Sequence, residues 1–566
     1  MGLNLKPCKK KYPYCYDGHN YALEVVSGKR LACKQVVGAC NRYLNDLKRA
    51  EDPNCDFYFD LDKAERFLRL AQKFKHVKGK WKNPCIVYES WQNFIFMNVF
   101  GFISKRTGSR RFRTCHIEVP RGNGKSAIAS QVGLYMLALE NPKGNEIYSA
   151  ATGRDQARII LDSARAMARA NKSYLKATGV RVLAHKLVHE KSESFFIALS
   201  ADSNTLDGLQ PACALIDELH SHKNRQVFDV IDSAMSKRRD SLLFVITTAG
   251  FNTSGIGYSQ SVYCSKVCTG EVEDDSFFGI IWTIDEGDDP YDEKVWEKAN
   301  PNWGVSVDPI NFEAKAKKAK ENPSDQNNFK VKHLNIWTNS SSPFFNVDKW
   351  DLCVDKNLSL SDFKGEKCWV GIDLASKIDL TSFAYIFKRN NKYYFFTENF
   401  IPEQTILESK NDLYPKWVNS GAVIKTKGEA INYPYLEEVL FHRSREFKFQ
   451  GVHYDPWNAT ELAQIMSGKR VEMIEFRMTT ANLSEPMKKI DALIREGRFI
   501  HRDNGCERWC LGNVVAKQDA NDNVFPRKDN DKLKIDPIVA GIMAMAGWVQ
   551  DEENESVYEK RGILII

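Results

Sequence analysis

No run of about 18 apolar residues, the length a membrane-spanning helix needs, occurs anywhere in the 566 residues. The opening stretch MGLNLKPCKKKYPYC lacks the apolar segment of a secretory signal, and Lys6 stands where N-myristoylation after Gly2 requires Ser or Thr. These absences set the expected location as the cytosol. Repeats and low-complexity tracts are missing as well. So is any strong charge bias: the net charge of +7 is compatible with a polyanionic partner without identifying one. Fourteen cysteines are scattered through the chain, and with no secretion signal they are expected as free thiols. They also lack metal-site spacing. Cys8, Cys15, Cys33 and Cys40, with His19 among them, stand six or more residues apart, where structural zinc sites use gaps of about two to four. The competing reading puts Cys33 and Cys40 on the buried face of one helix.

What is present is the composition of an ordinary globular protein, 43% hydrophobic and 27% charged, on a chain too long for one core. Single cores stop growing at about 250–300 residues, so two or three domains are expected. Residues 31–110 are mostly helical in pattern: ACKQVVGACNRYLNDLKRA and LDKAERFLRLAQKF place apolar residues three and four apart. The texture then changes to short runs rich in β-branched and aromatic residues, FRTCHIEV, NEIYSAAT, SFFIALS, ACALID and LLFVITTA. Helical stretches such as SAIASQVGLYMLALE and RDQARIILDSARAMARA separate some of them, an alternation that predicts a mostly parallel sheet flanked by helices. A basic helix, NFEAKAKKAKENP, whose lysines read more readily as a solvated face than as a nucleic-acid site, leads to NIWTNSSSPFF, where small polar residues and Pro343 predict a linker. A second mixed unit opens at KCWVGIDLASKIDLTSFAYIFKRNNKYYFF, two strands about a KRNNK turn, and runs through the strand GVHYD to the helix IVAGIMAMAGWV. The expected division is a helical N-terminal extension over 1–90, an α/β domain over 91–340, a linker over 341–346, a second α/β domain over 347–552 and a polar tail over 553–566.

The first group of candidate residues lies in VPRGNGKS, residues 119–126. A phosphate-binding loop works because successive backbone N–H groups at a helix N-terminus wrap phosphate oxygens, a lysine neutralises the β- and γ-phosphates, and a Ser or Thr hydroxyl binds magnesium. After the strand CHIEV, Gly122, Asn123, Gly124, Lys125 and Ser126 supply such a loop. Val119 takes the place of the first glycine and is expected to end the preceding strand, while Arg121 adds a cation beside the phosphates. Downstream, CALIDELH is an apolar strand ending in two carboxylates. Asp217 is placed to hold magnesium through its water shell and Glu218 to orient or deprotonate the water that attacks the γ-phosphate. The next strand, LLFVITTAG, ends in Thr247 and Thr248, which read either as a γ-phosphate sensor or as ordinary strand-end threonines. Trp91 and Gln92, before the loop, are candidates to pack on and hydrogen-bond an adenine. Hydrolysis of this type commonly uses an arginine finger; Arg154, Arg158, Arg225, Arg238 and Arg239 all stay open for that role.

The second group is three aspartates: Asp373 in WVGIDLAS on the inside of a first strand, Asp455 ending the strand in VHYDPWNA, and Asp536 opening the helix in KIDPIVAGIMAMA. Brought together by the fold, their charge demands cations. Two Mg2+ or Mn2+ ions about 3.5–4 Å apart would stabilise both the attacking and the leaving oxygen of an in-line phosphodiester cleavage. A first strand of a meander combined with a late helix is the layout of ribonuclease-H-like nucleases. Taken singly, each aspartate also reads as a cap or turn residue, Asp536 before Pro537 as a helix cap. Asp379 reads as a turn residue near enough to Asp373 to assist. His453, two residues before Asp455 on the same face, reads as a packed core histidine or as a group reaching a metal or phosphate.

An ATPase followed by a ribonuclease-H-like nuclease in one chain resembles the large terminase subunit of tailed bacteriophages. The likeness runs through WQNFIFMNVFGF, VPRGNGKS, ALIDELH, ITTAG, NIWTNSSSPFF, GIDLASKIDLTS, YDPWNA and KIDPIVAGIMAMA, and a loop with a basic residue in its first half is usual in that family. The resemblance implies an α/β P-loop ATPase domain of the RecA, additional-catalytic-glutamate type, a ribonuclease-H-like nuclease domain after it, and an N-terminal stretch longer than the core motor needs. It implies ATP with Mg2+ at the first site, where Lys125, Ser126, Asp217 and Glu218 carry hydrolysis and Thr247 and Thr248 belong to the coupling motif. At the second site Asp373, Asp455 and Asp536 would hold two Mg2+ or Mn2+ ions. The implied partners are double-stranded DNA, a small terminase subunit and a portal protein, with a homo-pentameric ring docked on a procapsid in the host cytoplasm. Two other classes stand beside this one. A superfamily-2 helicase shares the DExH look of DELH and leaves the three aspartates unexplained; a non-enzymatic DNA or capsid adaptor leaves Lys125, Glu218 and the aspartates without a use.

Overall fold

In the computed structural model, which describes residues 7–77, 84–199, 208–222, 224–253, 255–338, 340, 343–374, 380–409, 413–519, 522–528 and 533–561, the alternating region between residues 114 and 281 forms one twisted sheet. The chain separates into two units, Met1–Glu321 with Asn328–Thr338, and Asn322–Asn327 with Asn339–Ile566. No helix among the described residues is long and apolar enough to cross a membrane.

The first unit opens with helices α1 (Pro13–Val26), α2 (Lys34–Arg49) and α3 (Leu61–Ala71), the short strand β1 (Phe57–Phe59), helix α4 (Ser90–Gly101) and strand β2 (Phe102–Ser104), which pairs with β1. In α2 the apolar spacing does what it predicts: Val36, Ala39, Cys40, Tyr43 and Leu47 are buried along one stripe. In α4 every residue from Trp91 to Gly101 is buried, so this helix sits inside the unit with protein on all sides. There follow β3 (Thr114–Glu118), α5 (Lys125–Ala138), β4 (Glu146–Ala150), α6 (Arg154–Ala170), α7 (Lys172–Thr178), β5 (Arg181–Val182), β6 (Lys186–His189), β7 (Ser194–Ala198), β8 (Pro211–Asp217), α8 (Gln226–Met235), β9 (Leu242–Thr247), α9 (Ile256–Thr269) and β10 (Phe277–Ile281). Strand order is β10-β3-β9-β8-β4-β7-β6-β5, parallel from β10 through β7 and antiparallel only at β5 and β6. The central strands β8 and β9 are buried along their whole length, as strands covered by helices on both faces must be. One hydrophobic cluster runs from Cys15 to Trp282: the first ninety residues share their core with the sheet. All fourteen cysteines are free thiols. Helices α10 (Trp296–Ala299), α11 (Pro309–Glu321) and α12 (Pro323–Leu334) come last.

The second unit holds α13 (Val347–Asp351), β11 (Lys367–Asp373), β12 (Thr381–Arg389), β13 (Lys392–Pro402), α14 (Glu403–Glu408), α15 (Leu413–Asn419), β14 (Ile424–Thr426), α16 (Tyr433–Glu446), β15 (Lys448–Tyr454), α17 (Pro456–Gly468), β16 (Met473–Glu475), α18 (Thr480–Arg495), β17 (Phe499–His501), α19 (Gly505–Asn513), the β18 (Val515–Gln518) and β19 (Val524–Arg527) ribbon, and α20 (Asp536–Arg561). β11, β12 and β13 form an antiparallel meander whose KRNNK turn places Asn390 at φ +53°. β15 joins β11 in parallel and β16 joins β15, giving the order β14-β13-β12-β11-β15-β16 with β17 on β13. Alternation divides β11 between two cores. Val370 and Ile372 belong to the cluster that includes Leu436 of α16 and Leu462 of α17. Gly371 faces the other way, where a Cβ would come within 2.0 Å of Ala540 O in α20. Asp373, two residues on, shares the α20 face.

Candidate active sites

β3 ends at Glu118, and Val119 leaves the strand still attached to the sheet, its N–H donating to Thr247 O at 3.1 Å. The chain then turns through Gly122 and Gly124 at φ +92° and +77°, a region where a side chain is disfavoured. Gly124 caps α5, which starts at Lys125 with Ser126 in its first turn, half-buried. The loop is clamped by a segment that sequence reasoning missed. Ser306 Oγ donates to Gly122 O at 2.6 Å, the Asn302 N–H to Asn123 Oδ1 at 3.1 Å, and Asn123 Nδ2 to Pro120 O at 3.2 Å. Lys125 is buried, and its Nζ donates to the carbonyls of Val119 at 2.9 Å and Pro120 at 3.1 Å. Burial brings its pKa down to about 8 against the opposing pull of Glu218 and Asp217. An ammonium held this dry is poised to gain an anionic partner. Arg121 is exposed beside it, its N–H donating to Lys332 O at 3.0 Å.

A cavity of about 490 Å³ adjoins the loop, lined by His76, Pro84, Ile86 and Val87 on one side and by Gln92, Gly124, Ala127 and Ile128 on the other. Gln92 lines this cavity, its Oε1 accepting the Glu89 N–H at 2.9 Å in a capping box. Trp91 is not in this cavity. Its ring packs 4.9 Å from that of Trp282 in the core, and Nε1 donates to Asn302 Oδ1 at 2.7 Å, so it braces the loop through Asn302.

Asp217 closes β8 and is buried; its Oδ1 has no hydrogen-bond partner. Burial, reinforced by the neighbouring Glu218 charge, raises its pKa to about 6. Glu218 adopts the left-handed conformation at φ +51°, a strained geometry for a non-glycine residue that functional sites retain. Burial acts to raise the Glu218 pKa, but His220, Lys125 and Arg121 together bring it below the ordinary value. His220, to which sequence reasoning gave no role, links the whole strand end. Its Nδ1 lies 3.1 Å from Glu218 Oε2, 3.2 Å from Thr247 Oγ1 and 3.3 Å from Thr248 Oγ1, and its N–H donates to Thr247 Oγ1 at 3.1 Å. Both threonines are buried. Among the arginines left open, Arg225 pairs with Asp229 at 3.3 Å and Arg238 donates to Asn145 Oδ1 at 2.8 Å, while Arg158 is half-buried and Arg239 exposed. The Arg154 side chain lies outside the described residues.

In the second unit, the β11–β15 register sets Ile372 opposite Tyr454, so Asp373 and Asp455 follow at adjacent ends of parallel strands. Asp455 caps α17, its Oδ1 accepting the Trp457 N–H at 3.2 Å. Asp536 is the first residue of α20, one turn before the Ala540 that lies on Gly371, and its charge reaches Cys510 of α19. The fold therefore directs the three toward one end of the sheet. It does not close them into a cluster: among the described residues no three His, Cys, Asp or Glu side chains stand together as a metal-holding group. His453 is buried against Gly547 of α20, and burial lowers its pKa. Asp379 lies outside the described residues. A buried polar chain that sequence reasoning missed starts at Ser382, the residue opposite Asp373. Ser382 Oγ donates to Asn399 Oδ1 at 2.8 Å, Asn399 Nδ2 to Thr397 Oγ1 at 2.9 Å, and Thr397 Oγ1 to Glu507 Oε1 at 2.6 Å. Burial raises the pKa of Glu507 to about 7. No sequence spacing connects these four.

A glycine-rich loop opening α5 on one sheet, with Asp373 and Asp455 at strand ends and Asp536 at a helix start in the second unit, is the layout expected of a two-domain ATPase and nuclease. Comparison with known proteins gives the family. Residues 90–266 match the ATPase domain of the terminase large subunit, and residues 271–553 match its endonuclease domain. The chain is 36% identical over 365 residues to Protein YmfN of Escherichia coli (strain K12), covering 62% of this chain and 80% of that one. It is 24% identical over 438 residues to the terminase large subunit of Enterobacteria phage HK97, covering 76% and 85%. The crystal structure of the HK97 bacteriophage large terminase is similar with a TM-score of 0.42 at 22% identity, over 86% of this chain and 99% of that one. The chain belongs to the terminase large subunit family. It is an ATPase and endonuclease of phage DNA packaging, using nucleotide and divalent metal, and the helicase and adaptor readings fall.

Proposed function

We propose that the Gly122–Ser126 loop binds ATP with Mg2+, with the adenine in the cavity beside Gln92 and the phosphates between Lys125 and Arg121. The observation that carries this is the buried, unpartnered Asp217 Oδ1 beside a buried Lys125 of depressed pKa: a vacant oxygen donor and a dry ammonium, as a metal–phosphate group requires. Magnesium held by Ser126 and Asp217 would offset the charge of the β- and γ-phosphates. Glu218 orients the attacking water and accepts its proton, His220 fixes the Glu218 carboxylate, and Thr247 and Thr248 hold the His220 ring to the next strand. In the second unit Asp373, Asp455 and Asp536 hold the metals of DNA cleavage. The donor set, three hard carboxylate ligands from two strand ends and one helix start, suits Mg2+ or Mn2+. Two such ions would supply the charge stabilisation of an in-line displacement.

The separation of the two units after Thr338 supports a motor over 91–340, a linker at 341–346 and a nuclease over 347–552, although Asn322–Asn327 group with the second unit and the endonuclease match begins at residue 271. The partners are double-stranded DNA, a small terminase subunit and a portal protein, engaged by a homo-pentameric ring docked on a procapsid in the host cytoplasm. Lys125→Ala is expected to abolish DNA-stimulated ATP hydrolysis while leaving metal-dependent plasmid cutting, and Asp373→Ala to do the reverse. Unchanged hydrolysis in the first variant or unchanged cutting in the second refutes the corresponding site.

A further inference from the structure

Trp457 departs from the pattern of its unit. Its side chain is 87% exposed, whereas Trp350, Trp369, Trp417 and Trp548 are all buried. A single exposed apolar ring is ordinary on a protein surface; what singles out this one is where it stands. Its position identifies the partner. The Trp457 N–H donates to Asp455 Oδ1 at 3.2 Å, which fixes the residue at the start of α17 next to a strand-end carboxylate. Neighbouring strand ends carry the rest. Asp373 ends β11, Asp455 follows β15 with Tyr454 opposite Ile372, and Arg477 stands two residues beyond Glu475, which pairs with Tyr454 across β15 and β16. The Arg477 side chain is 78% exposed and pairs, among the described residues, with Glu475 at 3.4 Å. Adjacent strands lie about 4.8 Å apart, so three strand ends span about 10 Å, the length of about three nucleotides at about 3.4 Å each. These neighbouring strand ends bring a carboxylate, an indole and a guanidinium to one edge of the sheet: groups for a scissile phosphate, a base face and a neighbouring phosphate.

We propose that Trp457 is a DNA-positioning residue of the nuclease, its indole stacking on a base opened at the cutting site while Arg477 holds a flanking phosphate. This rests on the reading of Asp373, Asp455 and Asp536 as the cleavage centre. Stacking on an aromatic face is tolerant of base identity because every base has a π-face.

The test uses the full chain with Mn2+ and supercoiled plasmid, alongside Asp373→Asn. Trp457→Ala is expected to raise KM about tenfold with kcat within about twofold, and Trp457→Phe to restore most of the loss, with melting temperatures unchanged. Arg477→Ala is expected to weaken DNA binding and lower the salt dependence of log K by about one. Titration with a single-stranded oligonucleotide in EDTA should quench a tryptophan signal that Trp457→Phe lacks. A wild-type KM and no missing quench in the Trp457 variants, with Asp373→Asn dead, overturns the proposal and leaves the cleavage centre standing. Cutting by Asp373→Asn overturns the reading beneath it. A Trp457→Ala chain that loses self-association while keeping its KM assigns the indole to a second copy and likewise overturns the proposal.

Discussion

At the scale of single residues, the nucleotide site is held together by groups whose protonation is displaced in opposite directions. Lys125 titrates near pH 8 and Asp217 near pH 6; phosphate binding needs the first charged and metal binding needs the second ionised. The pH profile of kcat/KM for ATP should therefore be bell-shaped, rising through about pH 6 and falling through about pH 8. Steady-state hydrolysis from pH 5 to 9.5 checks this, and a flat profile rules it out. The stability signs are the reverse of function. The depressed Lys125 pKa means that the unfolded chain binds more protons between about pH 8 and its ordinary value, so folding gains there as pH rises; the raised Asp217 pKa costs stability as pH climbs to about 6. His220 carries a second expectation. Its ring is the contact shared by Glu218, Thr247 and Thr248, so His220→Ala should lower kcat for ATP about 10- to 100-fold while KM moves less than about twofold. Equal losses in binding would instead make it part of the ATP pocket. Lys125, Asp217 and Glu218 were legible because each ends an apolar strand or opens a helix. Asn302, Ser306 and Glu507 were not, since their partners lie far away in sequence and no period joins them.

At the scale of elements, β3, β4, β7, β8 and β9 were readable from their β-branched and aromatic runs, while β1, β2, β5, β6 and β10 were not, and neither was the strand order. Nothing in ACALID or LLFVITTA says that β8 lies between β9 and β4; that follows from register and crossover, which local pattern does not encode. Gly371 shows the same limit. In sequence it is an unremarked residue within WVGID, yet it is the point where α20 meets β11 backbone to backbone, with a Cβ falling 2.0 Å from Ala540 O and 2.6 Å from Ala544 N. A helix cannot move aside at one atom, so Gly371→Ala displaces α20 and with it Asp536, one turn away. The variant should lose about 1–3 kcal/mol of stability and most plasmid cutting. Thermal melting and a Mn2+ cleavage assay measure both; wild-type cutting would show that Asp536 is not set by this contact.

At the scale of the whole molecule, the two chemical groups were visible as two domains, while the first ninety residues read as a helical extension longer than the core motor needs and without an assigned role. Packing supplies one. Gly18 of α1 lies so close to α4 that a Cβ would fall 2.7 Å from Phe94 N. Cys33 Sγ donates to Ile281 O at 3.2 Å, Arg42 Nη1 to Phe277 O at 2.8 Å, and Arg111 pairs with Asp46 at 2.7 Å. α2 thus covers β10, the edge strand of the sheet, which otherwise would present unpaired backbone groups and an apolar face. α4 is buried all round only because α1 and α3 lie against it. A chain beginning at residue 84 would expose Phe94, Phe67's partner Phe100 and the β10 edge together, an apolar surface far above what a soluble monomer carries. Expression of that truncated chain should give aggregate or an unfolded ATPase unit in gel filtration and circular dichroism, with no ATP hydrolysis. A soluble, active product would mean that the N-terminal helices are an accessory to the motor, whereas insolubility cured by supplying residues 1–83 as a separate fragment would show that they complete its core.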